Sequence, residues 1–429
     1  MSNTATVPVR TRRGRLARLA FVVVILLVLL AIAGNYLLQP QRASGLLLDR
    51  VGKSLGLQIT ASGNASYRLR GTPQLVLRDV VAQRPGDATA LLRADRVFVA
   101  VPWSTIRGRG QDLTVQRIEL DAPILDVPAL QRWQATRPPS EDSRIPTLTD
   151  GMHIAHGRID NNDWRIDGIT VDMPSLAPGK PLSARLRGRY LDPPTSLPFD
   201  FDVALTKPGN DAGLAAIGKA TLEGDGWKLP AQIHLSGRLH LGDGDVRMVP
   251  AKVGISARYL SAGSNLPFTL GAAGPLHFDQ GVWSLDPAAL ILHGGGVIPE
   301  AKANGALALG RRLVLRLQGD IAEWPDAWPA LPPPLSASTS PLDVSLDYVG
   351  QLDFSEAASL VVRRDATTFD AQFKLPVIMD WISSDVPGSP LPPLKGSMQT
   401  PQLEIAGATL EGVEVEFSDD ARVPAPPEP

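Results

Sequence analysis

From about Gly56 to Phe417 the chain alternates apolar and polar residues with a period of two. Between Leu182 and Tyr190, Leu182, Ala184, Leu186 and Tyr190 fall on one side of an extended chain, and Ser183, Arg185, Arg187 and Arg189 on the other. Ala231, Ile233, Leu235, Leu239 and Leu241 oppose Gln232, His234, Ser236, Arg238 and His240 in the same way. The pattern returns in Val253-Ile255-Ala257-Tyr259, Leu313-Leu315-Leu317-Ile321, Leu342-Val344-Leu346-Tyr348 and Phe369-Ala371-Phe373-Leu375. Gln402 to Ile405 and Val413 to Phe417 give the last such segments. This is the pattern of antiparallel strands with one apolar and one wet face. Few stretches after residue 56 are long enough for a helix of about 10–15 residues, so a parallel strand–helix–strand plan is poorly supported. The fold class expected is mainly β. With little helix to cover them, the apolar faces must meet each other in a sandwich or curl into a long groove; alternation alone leaves both open.

One segment breaks the pattern. Residues 1–18 carry Arg10, Arg12, Arg13, Arg15 and Arg18 and no acidic residue, and residues 19–38 are almost wholly apolar. About 20 apolar residues cross roughly 30 Å of hydrocarbon as a helix. Arginines on its N-terminal flank would keep the head in the cytoplasm and send the body across the membrane. Ala31-Ile32-Ala33 also resembles a signal-peptidase site, but the run continues through Leu38, beyond the usual 7–15 apolar residues of a leader. Both readings export the body. Residues 42–56 have a leucine run closed by Gly56 and predict a short helix beside the membrane.

Composition narrows the classes. The chain of 429 residues has 42 basic and 44 acidic side chains, and setting aside the five head arginines leaves the exported part mildly acidic, the wrong sign for a non-specific nucleic-acid binder. It has no cysteine, which excludes disulfides, thiolate nucleophiles and cysteine-held metals. Its 39 glycines and 39 prolines lie between apolar segments and mark turns. Proline is densest in 321–340 and again near residue 390, both expected to be extended or turned surface segments. Trp164, Trp227 and Trp283 each follow a turn and suggest a weak strand-rich repeat. The organisation expected is a head (1–18), a membrane helix (19–38), an N-terminal region (42–130), a strand-rich body (131–320), a proline-rich segment (321–340), C-terminal strands (341–417) and a disordered tail (418–429).

No constellation calls for catalysis. His153 and His156 stand near Asp150, Asp160 and Asp163, but positions three apart on a strand face opposite ways, which argues against a metal site. His234 and His240 share a polar strand face. Gly294-Gly295-Gly296 lacks nucleotide-loop spacing, no Gly-x-Ser-x-Gly elbow is present, and the acidic run Glu411 to Asp420 lacks the glycine of a calcium loop. No enzyme activity and no cofactor are expected.

Residues 15–130 resemble the AsmA family of bacterial envelope proteins. The likeness lies in the order of the basic head, the apolar span, LGLQITASG, TPQLVLRDV, ADRVFVAVPWSTI and LTVQRIELDAPILDVPAL, with Val115, Ile118, Leu120, Pro123 and Leu125 carrying the most typical texture. The resemblance implies a protein of the Gram-negative inner membrane with its body in the periplasm. It also implies a curved antiparallel β-groove that shelters acyl chains, and a role in lipid transport or outer-membrane biogenesis. Phospholipid is the partner this implies, together with envelope or outer-membrane assembly proteins; the alternative is a β-rich scaffold or quality-control factor for that assembly. Candidate lipid-facing side chains are Leu182, Leu186, Ile233, Leu235, Val253, Ile255, Leu313, Leu315, Leu342, Val344, Leu346 and Phe373. Arg107, Arg109 and Arg117 are candidate headgroup contacts.

Overall fold

The computed structural model describes residues 52, 55–63, 65–108, 113–136, 145–242, 245–261, 263–328, 331, 335–336, 338–383, 393–405 and 408–418. The head, the apolar span, Arg109 and residues 419–429 lie outside them. Gly52 and Leu55 are helical and Gly56 follows at φ +61°, which is the described part of the helix expected over 42–56. Two compact units divide between Val246 and Arg247.

Unit 1 begins with strands β1 (Gln58–Ala61), β2 (Ser66–Arg68), β3 (Gln74–Gln83) and β4 (Ala90–Ala100), then the short helix α1 (Trp103–Arg107). Strands β5 (Thr114–Val115), β6 (Arg117–Asp121) and β7 (Ile124–Asp126) lead into helix α2 (Val127–Ala135), and β8 (Thr147–Leu148) and β9 (Met152–Asp160) follow. The sequence predicts α2 only through its first turn. Asp126 ends β7 and caps the helix, its carboxylate accepting from the Ala129 amide at 2.7 Å, and Pro128 sits where the missing N–H costs nothing. Ala129, Leu130 and Trp133, at helical spacing, pack on Leu77, Val97, Ile118 and Leu120 of the sheet. Trp133 Nε1 donates to the Leu55 carbonyl at 2.8 Å and ties the start of the described chain to this core.

Here the structure corrects the all-antiparallel expectation. Strand β9 pairs in parallel with both β6 and β7, and β5 pairs in parallel with β8. Parallel neighbours need a crossover, and α2 supplies it between β7 and β9, a small strand–helix–strand unit. The sheet of unit 1 is therefore mixed.

After β9 each strand pairs with its neighbour in sequence through β10 (Arg165–Met173), β11 (Leu182–Asp192), β12 (Thr195–Leu205), β13 (Ala212–Gly224) and β14 (Trp227–Leu241). Register aligns the alternating residues into rows such as Leu186–Phe201–Gly218–Ile233 and Ala184–Val203–Ala216–Leu235. A Cβ on Gly218 would stand 2.5 Å from the Phe201 ring and 2.2 Å from the Asp200 carbonyl, so the aromatic lies across the space that glycine leaves. The opposite face is a charge ladder: Arg185 donates to both carboxylate oxygens of Asp200, at 2.9 and 2.8 Å, and Arg187 reaches the same carboxylate at 3.2 Å.

Unit 2 contains nearly all of β15 (Asp245–Ser261), then β16 (Ser264–Asp279), β17 (Val282–His293), β18 (Ala301–Leu309), β19 (Leu313–Ile321), β20 (Leu342–Gly350), β21 (Ala358–Arg364), β22 (Thr367–Phe373), helix α3 (Leu375–Ser383), β23 (Leu394–Ile405) and β24 (Ala408–Ser418). From β16 to β24 every pairing is antiparallel between sequence neighbours. Leu375, expected to continue the strand ending at Phe373, instead opens α3. The proline-rich segment is also corrected: Leu331 and Leu335 are buried, the latter 1 % exposed, and they pack with Ile321, Leu342 and Val362. Leu331 and Leu335 lie outside the strands, yet they remove their side chains from water. Among the described residues no helix is long and apolar enough to cross a membrane.

Candidate functional site

Unit 2 encloses an apolar cavity of about 770 Å³, within the roughly 300–1,000 Å³ of small-molecule sites. Its position follows from alternation and register. One inner-face row runs Leu307–Leu315–Tyr348–Ala358–Phe373–Leu394 across six strands. Moving along the strands, the inner face becomes small: Ala301, Ala303 and Gly305 on β18, Gly319 on β19, Ala371 on β22 and Gly396 on β23. Large side chains stand around this floor, and the contrast in side-chain volume hollows out the space. A Cβ on Gly319 would lie 1.9 Å from the Lys302 carbonyl, so only glycine fits there. Trp324, Trp328 and Leu331 line one end, with Trp328 Nε1 donating to the Val297 carbonyl at 2.7 Å. Leu375, Ile378 and Met379 of α3, at i, i+3 and i+4, line the other.

The electrostatics are plain. Among the described residues no carboxylate lines the cavity, and the one charged lining residue, Lys302, lies between Ala301 and Ala303, which hold the inward positions of β18. Tyr348 is buried and donates its hydroxyl to the Gln351 carbonyl at 2.6 Å; burial pushes the phenol above its usual range. Most of the wall is half-buried apolar surface, offering dispersion contact and no directional polar partner.

Of the residues expected to face lipid, Leu313, Leu315, Val344, Leu346 and Phe373 line this cavity. Leu342 is fully buried in the packed cluster beside it. Val253 and Ile255 lie half-buried on β15 and do not line it. Leu182, Leu186, Ile233 and Leu235 belong to the half-buried face of β11 and β14 in unit 1. Arg107 and Arg117, expected at headgroups, lie in unit 1 as well. Arg107 stands 6.0 Å over the Trp103 ring, and Arg117 pairs with Glu119 at 2.7 Å. Sequence reasoning missed Trp324, Trp328, Leu331, Ile378 and Met379. The spacing of the last two behind Leu375 is a helical signal that was open to reading.

His153 meets Asp172 at 2.5 Å and His156 meets Asp121 at 3.3 Å, so the two imidazoles engage different carboxylates. Likewise His240 meets Asp211 at 2.6 Å, while His234 is exposed. Among the described residues no group of three or more His, Asp or Glu is placed to hold a metal ion. Comparison of the chain with family models, curated proteins and solved structures finds no match.

Proposed function

We propose that the cavity of unit 2 shelters the hydrocarbon tails of a lipid, and that the chain is a non-enzymatic factor that binds or passes such lipid along an apolar β-groove. The observation that carries this reading is the wall itself: a floor of alanine and glycine, sides of leucine, phenylalanine and tryptophan, and no lining carboxylate among the described residues. Such a wall rewards length of hydrocarbon, at about 0.8 kcal/mol for each methylene removed from water, and rejects polar solutes by denying them hydrogen-bond partners. The half-buried face of β11–β14 offers more surface of the same character. The apolar stretch 19–38 behind five arginines supports a placement at the inner membrane with the body in the periplasm. This agrees with what the resemblance of residues 15–130 to AsmA proteins implies. A scaffold that recruits clients by strand addition is less well supported, because β24 carries Glu411, Glu414 and Glu416 on exposed positions, charges that discourage edge pairing.

The test is the lipid content of the full chain, purified in a mild detergent, extracted with solvent and quantified by mass spectrometry. Stoichiometric phospholipid is expected, with several-fold loss in Ala303→Leu, which raises the floor, and in Leu346→Gln, which makes the wall polar. No lipid in the wild type, or unchanged lipid in both folded variants, overturns the reading.

A further inference from the structure

The apolar inner face of unit 2 continues past the cavity and emerges into water at one end. Outward from the row through Leu307 and Leu315 lies the row Phe278–Trp283–Leu309–Leu313. In that row Trp283 is 44 % and Leu309 38 % exposed. Beyond Gly350, Leu352 is 48 % exposed, and Leu375 at the start of α3 is 37 % exposed while also lining the cavity. Antiparallel register places all of them at the end that carries the β16–β17, β18–β19 and β20–β21 turns and the start of α3. The opposite end is covered by Trp324, Trp328 and the buried Leu331 and Leu335. At that end Leu410 and Ile291 are exposed on their strands, but the inner face is covered by the tryptophan segment, whereas at the other end the cavity wall itself meets water.

Charge at the exposed end identifies what would cover it. Among the described residues, Arg311, Arg312, Lys374 and Lys395 stand near that end with Asp279, Asp353, Glu356 and Asp380, charges of both signs. A partner of strong charge gains nothing from such a rim. An indole beside leucines, continuous with a wall built for hydrocarbon, matches the boundary between headgroups and acyl chains, where tryptophan concentrates.

We propose that this end of unit 2 docks into the interfacial layer of a lipid bilayer, Trp283, Leu309, Leu352 and Leu375 inserting and the cavity opening toward the acyl region. Insertion holds it, so binding is insensitive to salt and to the fraction of anionic lipid. The proposal goes beyond lipid storage in the cavity, and it fails separately from it: lipid content tests the cargo, whereas a label on the rim tests the docking.

The chain has no cysteine, so Leu352→Cys can carry a single environment-sensitive fluorophore, and Leu410→Cys, 46 % exposed at the opposite end, supplies the control. Each labelled full-length chain is reconstituted into phosphatidylcholine vesicles and mixed with further vesicles, all containing spin-labelled lipid as quencher. Loss of most of the fluorescence is expected at position 352 and little at 410, alike in low and high salt. Combining Leu352→Cys with Trp283→Ala and Leu309→Ser should restore the emission while circular dichroism stays unchanged. Absence of quenching at 352, equal quenching at both positions, or quenching abolished by salt overturns the proposal. So does a disulfide-linked dimer through Cys at position 352 without quenching, which would assign the rim to a second copy.

Discussion

Leu77, Ile118 and Leu130 in unit 1 are at most 1 % exposed, sealed between a mixed sheet and α2. Leu317, Leu346 and Phe373 in unit 2 carry the same kind of side chain on the same kind of strand, and remain half-buried around a cavity. The difference lies in what crosses the sheet. In unit 1 a capped helix brings Ala129, Leu130 and Trp133 onto the apolar face. Among the described residues of unit 2, the covering pieces are the tryptophan segment and α3 toward the two ends of the sheet, and the middle of the inner face is floored by alanine and glycine. An apolar strand face is thus a core or a container depending on a helix of nine residues.

The largest effect that can break this comparison is expected at Trp133. Trp133→Ala removes a fully packed ring and the bond to Leu55, and should cost about 3–5 kcal/mol, read by urea unfolding. Next, Gly319→Val places a branched Cβ against the Lys302 carbonyl; it should destabilise by about 1–3 kcal/mol, with hydrogen exchange rising in unit 2 and not around α2. Leu317→Ala, in the cavity wall, should cost only about 1 kcal/mol while lowering bound lipid. If Leu317→Ala costs as much as Trp133→Ala, the cavity is a filled core and the contrast disappears.

The smallest effect concerns the outer charge ladder of unit 1. The hydrogen bond from Arg185, followed by its charge and that of Arg187, holds the Asp200 carboxyl below the ordinary carboxylate range. Glu223 is lowered by Lys228 and Ser196. A depressed carboxyl stabilises the fold above its unfolded value, about 4, and that contribution fades as pH falls through the lower folded value. The unfolding midpoint of unit 1 should therefore drop modestly below about pH 4, and Asp200→Asn should flatten the drop. These groups are exposed to solvent, so the effect is screened.

Strands were legible because side-chain direction alternates locally. The alternation from Leu313 to Ile321 coincides with β19, and that of Leu342 to Tyr348 falls inside β20. The inner face followed from the same period, which is why Leu315, Val344 and Leu346 were found. Leu342 lies on the same strand face and yet is sealed, because Leu331 and Leu335 pack over that end, a long-range contact that no period encodes. The parallel pairing of β6 with β9 escaped for the same reason. Helix α2 was available through Asp126 and Pro128, whose capping signal was hidden inside a phrase that reads as strand. Trp164 stands just before β10, Trp227 opens β14 and Trp283 is second in β17, so each follows a turn, as expected.

From β16 to β24 each strand is held by the one made just before it. A hairpin gained or lost in such a series moves the later strands along without asking any earlier one to find a new partner. Each hairpin adds about 9–10 Å across the sheet, so the width of the inner face changes in fixed steps. Gene-level insertions of strand pairs would then act as a ruler, setting capacity by count rather than by redesign of a core.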